Sequence, residues 1–199
     1  MTVWITSDIH FNHRNILSYC PHRGGPEVSD ANVFAMNEMI IRNWNELVKP
    51  IDAVIILGDV AMGQIDHAPE CIRRLNGNMM LIKGNHDATL VKRIDRGDLG
   101  FGGLFLGGVY SYYEMSYKTE DTHRKVLLNM SHYPFHSWNG MSKGTMMLHG
   151  HLHGTPHGIK GRIKDVGMDT NNLRPYKLDN IVNELLSIDV MRDHHDSSM

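Results

Sequence analysis

Only two cysteines, Cys20 and Cys71, occur in 199 residues. They stand far apart with no Cys-x-x-Cys spacing, which argues against a disulfide framework and a thiolate zinc cage. Long apolar runs are also missing. Met1-Thr2-Val3-Trp4-Ile5 leads straight into a strand-like pattern without a basic region or an extended apolar stretch. That start reads as neither a signal peptide nor a membrane span, and a cytoplasmic protein is expected. Nor is charge of one sign in excess, because the formal net charge of −2 leaves no footprint for nonspecific nucleic-acid binding. Internal repeats, low-complexity segments and linkers are absent, and 41% apolar residues suffice for one core. Residues 1–190 are therefore read as a single domain, and the unpatterned tail, 191–199, as disordered.

Histidine is abundant, at 14 residues, and it is unevenly placed. Five short apolar runs each stop at a polar cluster. Val3 to Thr6 ends at Ser7-Asp8-Ile9-His10, and Ala53 to Leu57 at Gly58-Asp59. Met79 to Ile82 ends, after one lysine, at Gly84-Asn85-His86-Asp87. Val126 to Met130 ends at Ser131-His132, and Met146 to Leu148 at His149-Gly150-His151-Leu152-His153. Runs of this length between turn residues suit strands buried on both faces.

Val33, Asn37, Ile40, Ile41, Trp44, Leu47 and Val48 recur at helical spacing, with Ser29 or Asp30 as N-cap and Pro50 beyond the end. Ala68, Ile72 and Leu75 give a second helix before the turn Asn76-Gly77-Asn78, so the first half alternates strand and helix, as parallel sheets require. In the second half, Gly97 to Gly108 reads as loop, and Val109 to Tyr117 and Lys125 to Met130 as an antiparallel pair. Lys160, Arg162 and Lys164 alternate with Ile159, Gly161 and Ile163 as a strand with one solvated face. Leu178, Ile181, Val182, Leu185 and Leu186 predict a closing amphipathic helix.

Five strand ends carrying metal-type ligands deliver them to one place, because functional groups of an open α/β sheet gather beyond the strands' carboxyl ends. Asp8 and His10, like His151 and His153, are two residues apart, a spacing that in extended chain points both side chains the same way. Carboxylates with neutral imidazoles suit borderline divalent ions. Two such ions roughly 3.5 to 4 Å apart clamp a phosphate and deprotonate a bridging water near neutral pH, which is the chemistry of phosphate ester hydrolysis.

The ordered set Asp8-Ile9-His10, Gly58-Asp59, Gly84-Asn85-His86-Asp87, His132 and Gly150-His151-Leu152-His153 resembles the calcineurin-like metallophosphoesterase superfamily, whose motifs run DxH, GD, GNH(D/E), H and GHxH. The resemblance implies an α/β fold, a four-layer α/β/β/α sandwich of two mixed sheets flanked by helices. It implies that Asp8, His10 and His153 hold one ion and Asn85, His132 and His151 the other, with Asp59 bridging. Manganese is the first expectation for both ions, ahead of zinc, iron or nickel. His86 would stabilise the phosphoryl transition state or protonate the leaving oxygen, and Asp87 would tie down its loop. Two departures stand out. Gly58-Asp59-Val60-Ala61-Met62-Gly63 lacks the further Asp-Arg-Gly of the phosphoprotein phosphatase branch, which leaves Asp66 as the candidate acid partner of His86. Phe11-Asn12-His13-Arg14-Asn15 follows the first ligand pair, and together with His132-Tyr133-Pro134 and Val166-Gly167-Met168-Asp169 it is similar to a small branch of bacterial and phage phosphoesterases.

His13, Arg14 and Asn15 are candidate contacts to a substrate phosphate, helped by the N–H groups of the helix after them. His149 is expected inside its strand, His136, Trp138 and His157 at the rim, and Met36, Met39, Met79, Met80, Met146 and Met147 as core filling. Function is expected to be hydrolysis of phosphate esters, diesters ahead of monoesters because 199 residues leave little length for a cap. A nucleotide or oligonucleotide is among the substrates considered. A nuclease and a binding scaffold without chemistry are the alternatives.

Overall fold

The computed structural model describes residues 1–25, 27–120 and 123–191. The expected tail from 192 onward lies outside the described residues. Strands are β1 Val3–Thr6, β2 Ala53–Ile56, β3 Asn78–Ile82, β4 Val109–Tyr110, β5 Tyr113–Lys118, β6 Lys125–Met130, β7 Met146–His149, β8 Ile163–Asp165 and β9 Tyr176–Lys177. Helices are α1 Ile16–Tyr19, α2 Asp30–Leu47, α3 Ala68–Arg73, α4 Ala88–Asp95 and α5 Leu178–Leu186.

Two mixed sheets face one another. The first runs β4-β3-β2-β1-β9 and the second β5-β6-β7-β8. In the first sheet β1 to β4 are parallel, with Val3 opposite Ala53 and Ala53 opposite Asn78, and β9 alone is antiparallel. In the second sheet β5 and β6 pair antiparallel, and β6, β7 and β8 lie parallel.

Alternation along each strand explains why the apolar runs are continuous. Val54, Ile56, Met79 and Leu81 point to a core shared with α2, α3 and α4, through Met36, Ile40, Trp44, Ile72 and Leu90. Ile5, Ile55, Leu57 and Ile82 point the other way, against Leu128, Met130, Met146 and Leu148 of the second sheet and the apolar face of α5. A strand buried on both faces has no polar position to spare. The far face of the second sheet is covered by Trp138, which packs on Met147 and Ile163. Trp138 is thus a buried packing residue rather than a rim residue.

Helix α2 begins where the sequence predicts, since the Ser29 side chain accepts from the Asn32 N–H at 3.2 Å. Three features depart from expectation. The stretch Val109 to Tyr117 is two strands in different sheets, β4 and β5, with Ser111 and Tyr112 carrying the chain between them. The run from Ile159 to Lys164 is strand only from Ile163 onward, because Gly161 takes φ 107° and breaks the extended backbone. Two of its basic residues are occupied: Arg162 donates to the carbonyls of Gly144, Leu186 and Ile188, and Lys164 pairs with Glu184 at 2.7 Å. Finally, α4 follows the Gly84 to Asp87 turn without having been foreseen.

Trp44 is fully buried and its indole N–H donates to the Asn76 carbonyl at 2.9 Å, linking α2 to the turn before β3. Trp44→Ala is expected to cost about 3–5 kcal/mol in urea denaturation. A loss below about 1 kcal/mol, the size of a surface change, would contradict this packing.

Candidate metal centre

The chain stays paired beyond the ends of β1 and β2. The N–H groups of Asp8, His10 and Phe11 donate to the carbonyls of Gly58, Asp59 and Val60 at 2.9, 3.0 and 3.0 Å. Side chains here do not follow strand alternation, because Asp8, His10, Asp59, His151 and His153 have φ of 57, 56, 55, 72 and 49°. Left-handed backbone costs an L residue about 1–2 kcal/mol. Convergence of the two-residue pairs therefore comes from repeated kinks, not from the extended geometry that their spacing suggests.

Two close approaches need glycine. A methyl on Gly58 would lie 2.5 Å from the Gly84 nitrogen and 2.7 Å from His132 Nδ1, so β2 and β3 deliver their loops side by side only without a Cβ. At Gly150 a methyl would overlap the Ser7 hydroxyl and sit 2.5 Å from Asp8 Oδ2. The buried Asp87 carboxylate then clasps the loops. Its Oδ2 accepts from the Asp59 and Gly84 N–H groups, both at 2.8 Å, and its Oδ1 from Val60 at 2.9 Å.

Two groups of ligand-type atoms result, Asp8 with His10 and His153, and Asp59 with His132 and His151, the atoms in each lying within 4.8 Å of one another. Asp59 faces both: its Oδ2 is 3.8 Å from His10 Nε2 and 3.5 Å from His132 Nε2. Asn85 joins the second group, with Oδ1 2.8 Å from His132 Nε2. His132 Nδ1 lies 2.8 Å from the Leu57 carbonyl, which can only accept, so Nδ1 carries the hydrogen and Nε2 a bare lone pair. That lone pair looks at two further acceptors, Asn85 Oδ1 and Asp59 Oδ2. In the first group Asp8 Oδ1 and His10 Nε2 are buried without any hydrogen-bond partner among the described residues. Orphaned buried polar atoms cost about 1–3 kcal/mol each. Divalent metal would satisfy them, so this donor set fits a metal-binding site.

Electrostatics point the same way. Burial holds His10 well below its usual pKa, and lowers His13 and His151, which leaves neutral imidazoles with lone pairs to offer. Burial pushes the Asp8 carboxyl up to about 6 despite His153 and His132 nearby. Burial also opposes the charge on His153, but the hydrogen bonds with Asp169 and Cys20 and the charge of Asp8 win, and its pKa is pushed up to about 10. Beside Asp8, a proton takes the place that a cation would fill.

A profile of the family described as calcineurin-like phosphoesterase matches residues 1–197. The chain belongs to that family. It is a metal-dependent phosphoesterase. Among its relatives is the uncharacterized protein MJ1445 of Methanocaldococcus jannaschii, 39% identical over 87 residues that make up 43% of this chain and 46% of that protein. The match to MJ1445 thus spans less than half of its length. The gene 66 protein of Mycobacterium phage L5 is 28% identical over 173 residues, covering 75% of this chain and 76% of the phage protein. A protein of unknown function from Aquifex aeolicus, AQ665, shares the fold with a TM-score of 0.64 at 22% identity, over 92% of this chain and 98% of that one.

The phosphoesterase brings Asp8, His10, Asp59, Asn85, His132, His151 and His153 together. His86 stands at the edge of the cluster, its Nε2 3.9 Å from Asp59 Oδ2 and its N–H donating to Asp59 Oδ1 at 2.9 Å. Asp66 is not its acid partner: that carboxylate pairs with Arg93 at 2.7 Å. Of the three residues considered for phosphate contacts, only His13 turns to the cluster, with Nδ1 3.2 Å from His10 Nδ1. Arg14 is exposed and pairs with Asp30 at 2.9 Å, Asn15 is exposed, and the helix after them, α1, has only four residues. His149 is buried in β7 with Nδ1 at the Gly150 carbonyl, away from the ligand groups.

Sequence reasoning missed Arg23 and left Asp169 without a role. Arg23 is completely buried; it donates to the carbonyls of Asp8 and Ile9, at 2.6 and 2.9 Å, and through two nitrogens to Asp169. Asp169 in turn accepts from His153 Nδ1 at 2.6 Å, which aims Nε2 at Asp8. Cys20, His153 and Asp169 form a third close group, but Asp169 is already engaged by Arg23, His22 and His153. Tyr133, to which the sequence assigns no role, has its ring 4.7 Å from that of His151.

Removing the Asp169 carboxylate strands a buried guanidinium, so Asp169→Ala should destabilise the metal-free phosphoesterase by about 3–5 kcal/mol. Burial raises the Asp169 pKa, but the bonds from Arg23 and His153 outweigh it and hold the group below the usual 3.8. Its stabilisation is then present above 3.8 and lost as pH falls, while the His153 share is present below 6.5 and lost as pH rises towards about 10. Urea denaturation from acid to alkaline pH should show the difference between the proteins largest between pH 3.8 and 6.5. A difference independent of pH would contradict the assignment.

Proposed function

We propose that this phosphoesterase cleaves phosphodiesters with two divalent cations, one held by Asp8, His10 and His153 and the other by Asn85, His132 and His151, with Asp59 between them. The observation that carries the reading is the crowding of unpaired lone pairs on both sides of Asp59 Oδ2, 3.8 Å from one imidazole nitrogen and 3.5 Å from another. Carboxylate, amide oxygen and imidazole, with no thiolate in either group, suit manganese first and zinc, iron or nickel next. When bound, such ions neutralise phosphoryl charge and acidify water for in-line attack.

The chain supplies the remainder. His86 is held by its own backbone N–H on Asp59, and its side chain is 32% exposed, so the ring can reach an ester oxygen from the solvent side. There it donates a proton to the departing alkoxide, or a hydrogen bond to the phosphoryl oxygen. Asp87 keeps the Asp59 and Asn85 loops from separating, and Asp169 keeps His153 in the tautomer that presents Nε2. The mouth of the cluster is open at His86 and Tyr133, which suits an ester bulky on both sides. Both cysteines are free and buried, as suits a reducing compartment, and the cytoplasm is where we place the reaction. No helix among the described residues is long and apolar enough to cross a membrane.

With manganese, the protein should hydrolyse bis(p-nitrophenyl) phosphate. His86→Ala should lower kcat by about 10²–10⁴-fold while metal content stays that of the parent. An undiminished kcat would remove His86 from the chemistry. Because imidazole and carboxylate ligands must give up protons to hold metal, activity should fall below about pH 6 together with bound metal. A rate that stays level into acid would contradict the ligand set.

A further inference from the structure

A cavity of about 470 Å³ opens beside the cluster, between the loops after β1 and β2 and the flanks of α2 and α3. His13 belongs to both. It lines the cavity, and its ring lies 5.1 Å from that of His10 and 6.1 Å from that of His86. The cavity is therefore within reach of an ester arm on a phosphoryl group held at the cluster.

Three properties of the walls define that arm. First, Phe34 projects from α2 with its side chain largely exposed, at 65%, although most large apolar residues of α2 are buried. Its ring offers a flat apolar face to the cavity. Second, the surroundings of that ring are polar. The Asn15 and Gln64 side-chain amides line the cavity with no hydrogen-bond partner among the described residues, and each can both donate and accept. Third, the walls repel further phosphate. Arg14 and Arg74 are committed to Asp30 and Glu38, at 2.9 and 2.5 Å, and Glu70 has no ion-pair partner among the described residues, which leaves one negative charge over.

A flat apolar face among unpaired amides, without spare positive charge, fits a neutral heteroaromatic ring and not an alkyl chain or a second phosphate. A nucleobase has two apolar faces for stacking and an edge of donors and acceptors. The volume lies within the range of small-molecule sites, about 300–1,000 Å³, and is too small for a strand of several nucleotides. We propose that the substrate is a phosphodiester with a nucleoside on one arm, whose base stacks on Phe34 and is read by Asn15 and Gln64. This rests on the diesterase reading above and adds the identity of one arm. The reaction breaks the bond between phosphorus and one ester oxygen; water supplies the hydroxyl to phosphorus and a proton to the leaving oxygen.

The test compares thymidine 5′-(p-nitrophenyl phosphate) with methyl p-nitrophenyl phosphate, both releasing the same chromophore, in parent, Phe34→Ala and Phe34→Tyr proteins loaded with manganese. The parent should favour the thymidine ester by about tenfold or more in kcat/KM, as loss of a base–aromatic stack implies. Phe34→Ala should erase that preference through KM, while Phe34→Tyr should keep it. In the metal-free protein, millimolar thymidine should shift the NMR signals of Gln64 and Phe34, and Phe34→Ala should abolish the Gln64 shift. Equal turnover of the two esters, or a preference that survives Phe34→Ala, overturns the nucleoside assignment alone. Failure to cleave either ester overturns the diesterase reading and the assignment with it.

Discussion

Lone pairs packed against lone pairs are the constraint around which this molecule is organised. Asp59 Oδ2, His10 Nε2 and the bare Nε2 of His132 are buried, with the exposed Asn85 presenting Oδ1 beside them, all within hydrogen-bond range or a little beyond, and His10 Nε2 has no hydrogen-bond partner among the described residues. Such an arrangement is unfavourable unless positive charge enters it. The fold holds it in place. Left-handed backbone at five of the seven candidate ligands raises the local cost, while the close approach of Gly58 to Gly84 and the triple acceptance by Asp87 fix the geometry. Stability to sustain this comes from two cores that share the first sheet.

Around the acceptors lies a shell that aims them. Arg23 is unusual in being a fully buried guanidinium, and each of its bonds ends on the ligand loops: two on the carbonyls beside the first ligand pair and two on Asp169. Through Asp169 the positive charge is relayed to the orientation of His153. On the other side, the Leu57 carbonyl at the end of β2 performs the same service for His132. Each histidine is thus fixed in one tautomer by an acceptor on its far nitrogen, and the near nitrogen is left to face the cluster.

Much of this is written in the sequence in a form that simple rules read. The strands are visible because both faces are buried, so Ala53 to Leu57 or Met146 to Leu148 offer no polar interruption. Helices α2 and α5 show their spacing for the complementary reason that one face alone is buried. The site is visible because its residues sit where those runs stop. What escapes is set by contacts distant in sequence. Helix α4 is only eight residues long and buries fully only Leu90. The transfer of the chain from β4 to β5 is invisible because propensity says nothing about which sheet a strand joins. Arg23 lies in a Pro- and Gly-flanked stretch that reads as solvent loop, and its partner Asp169 is 146 residues away. His13, Arg14 and Asn15 look equivalent in sequence, yet a single turn sends one inwards and two outwards. Even the approach of Asp8 to His10 follows from backbone kinks that strand spacing does not encode.

The central claim is that Asp59 lies between two cation positions. Anomalous diffraction at the manganese edge, from crystals soaked in that metal, tests it directly. Two peaks roughly 3.5 to 4 Å apart, one against Asp8, His10 and His153 and the other against Asn85, His132 and His151, are predicted. A single peak, or density at the Cys20, His153 and Asp169 group instead, would contradict the account.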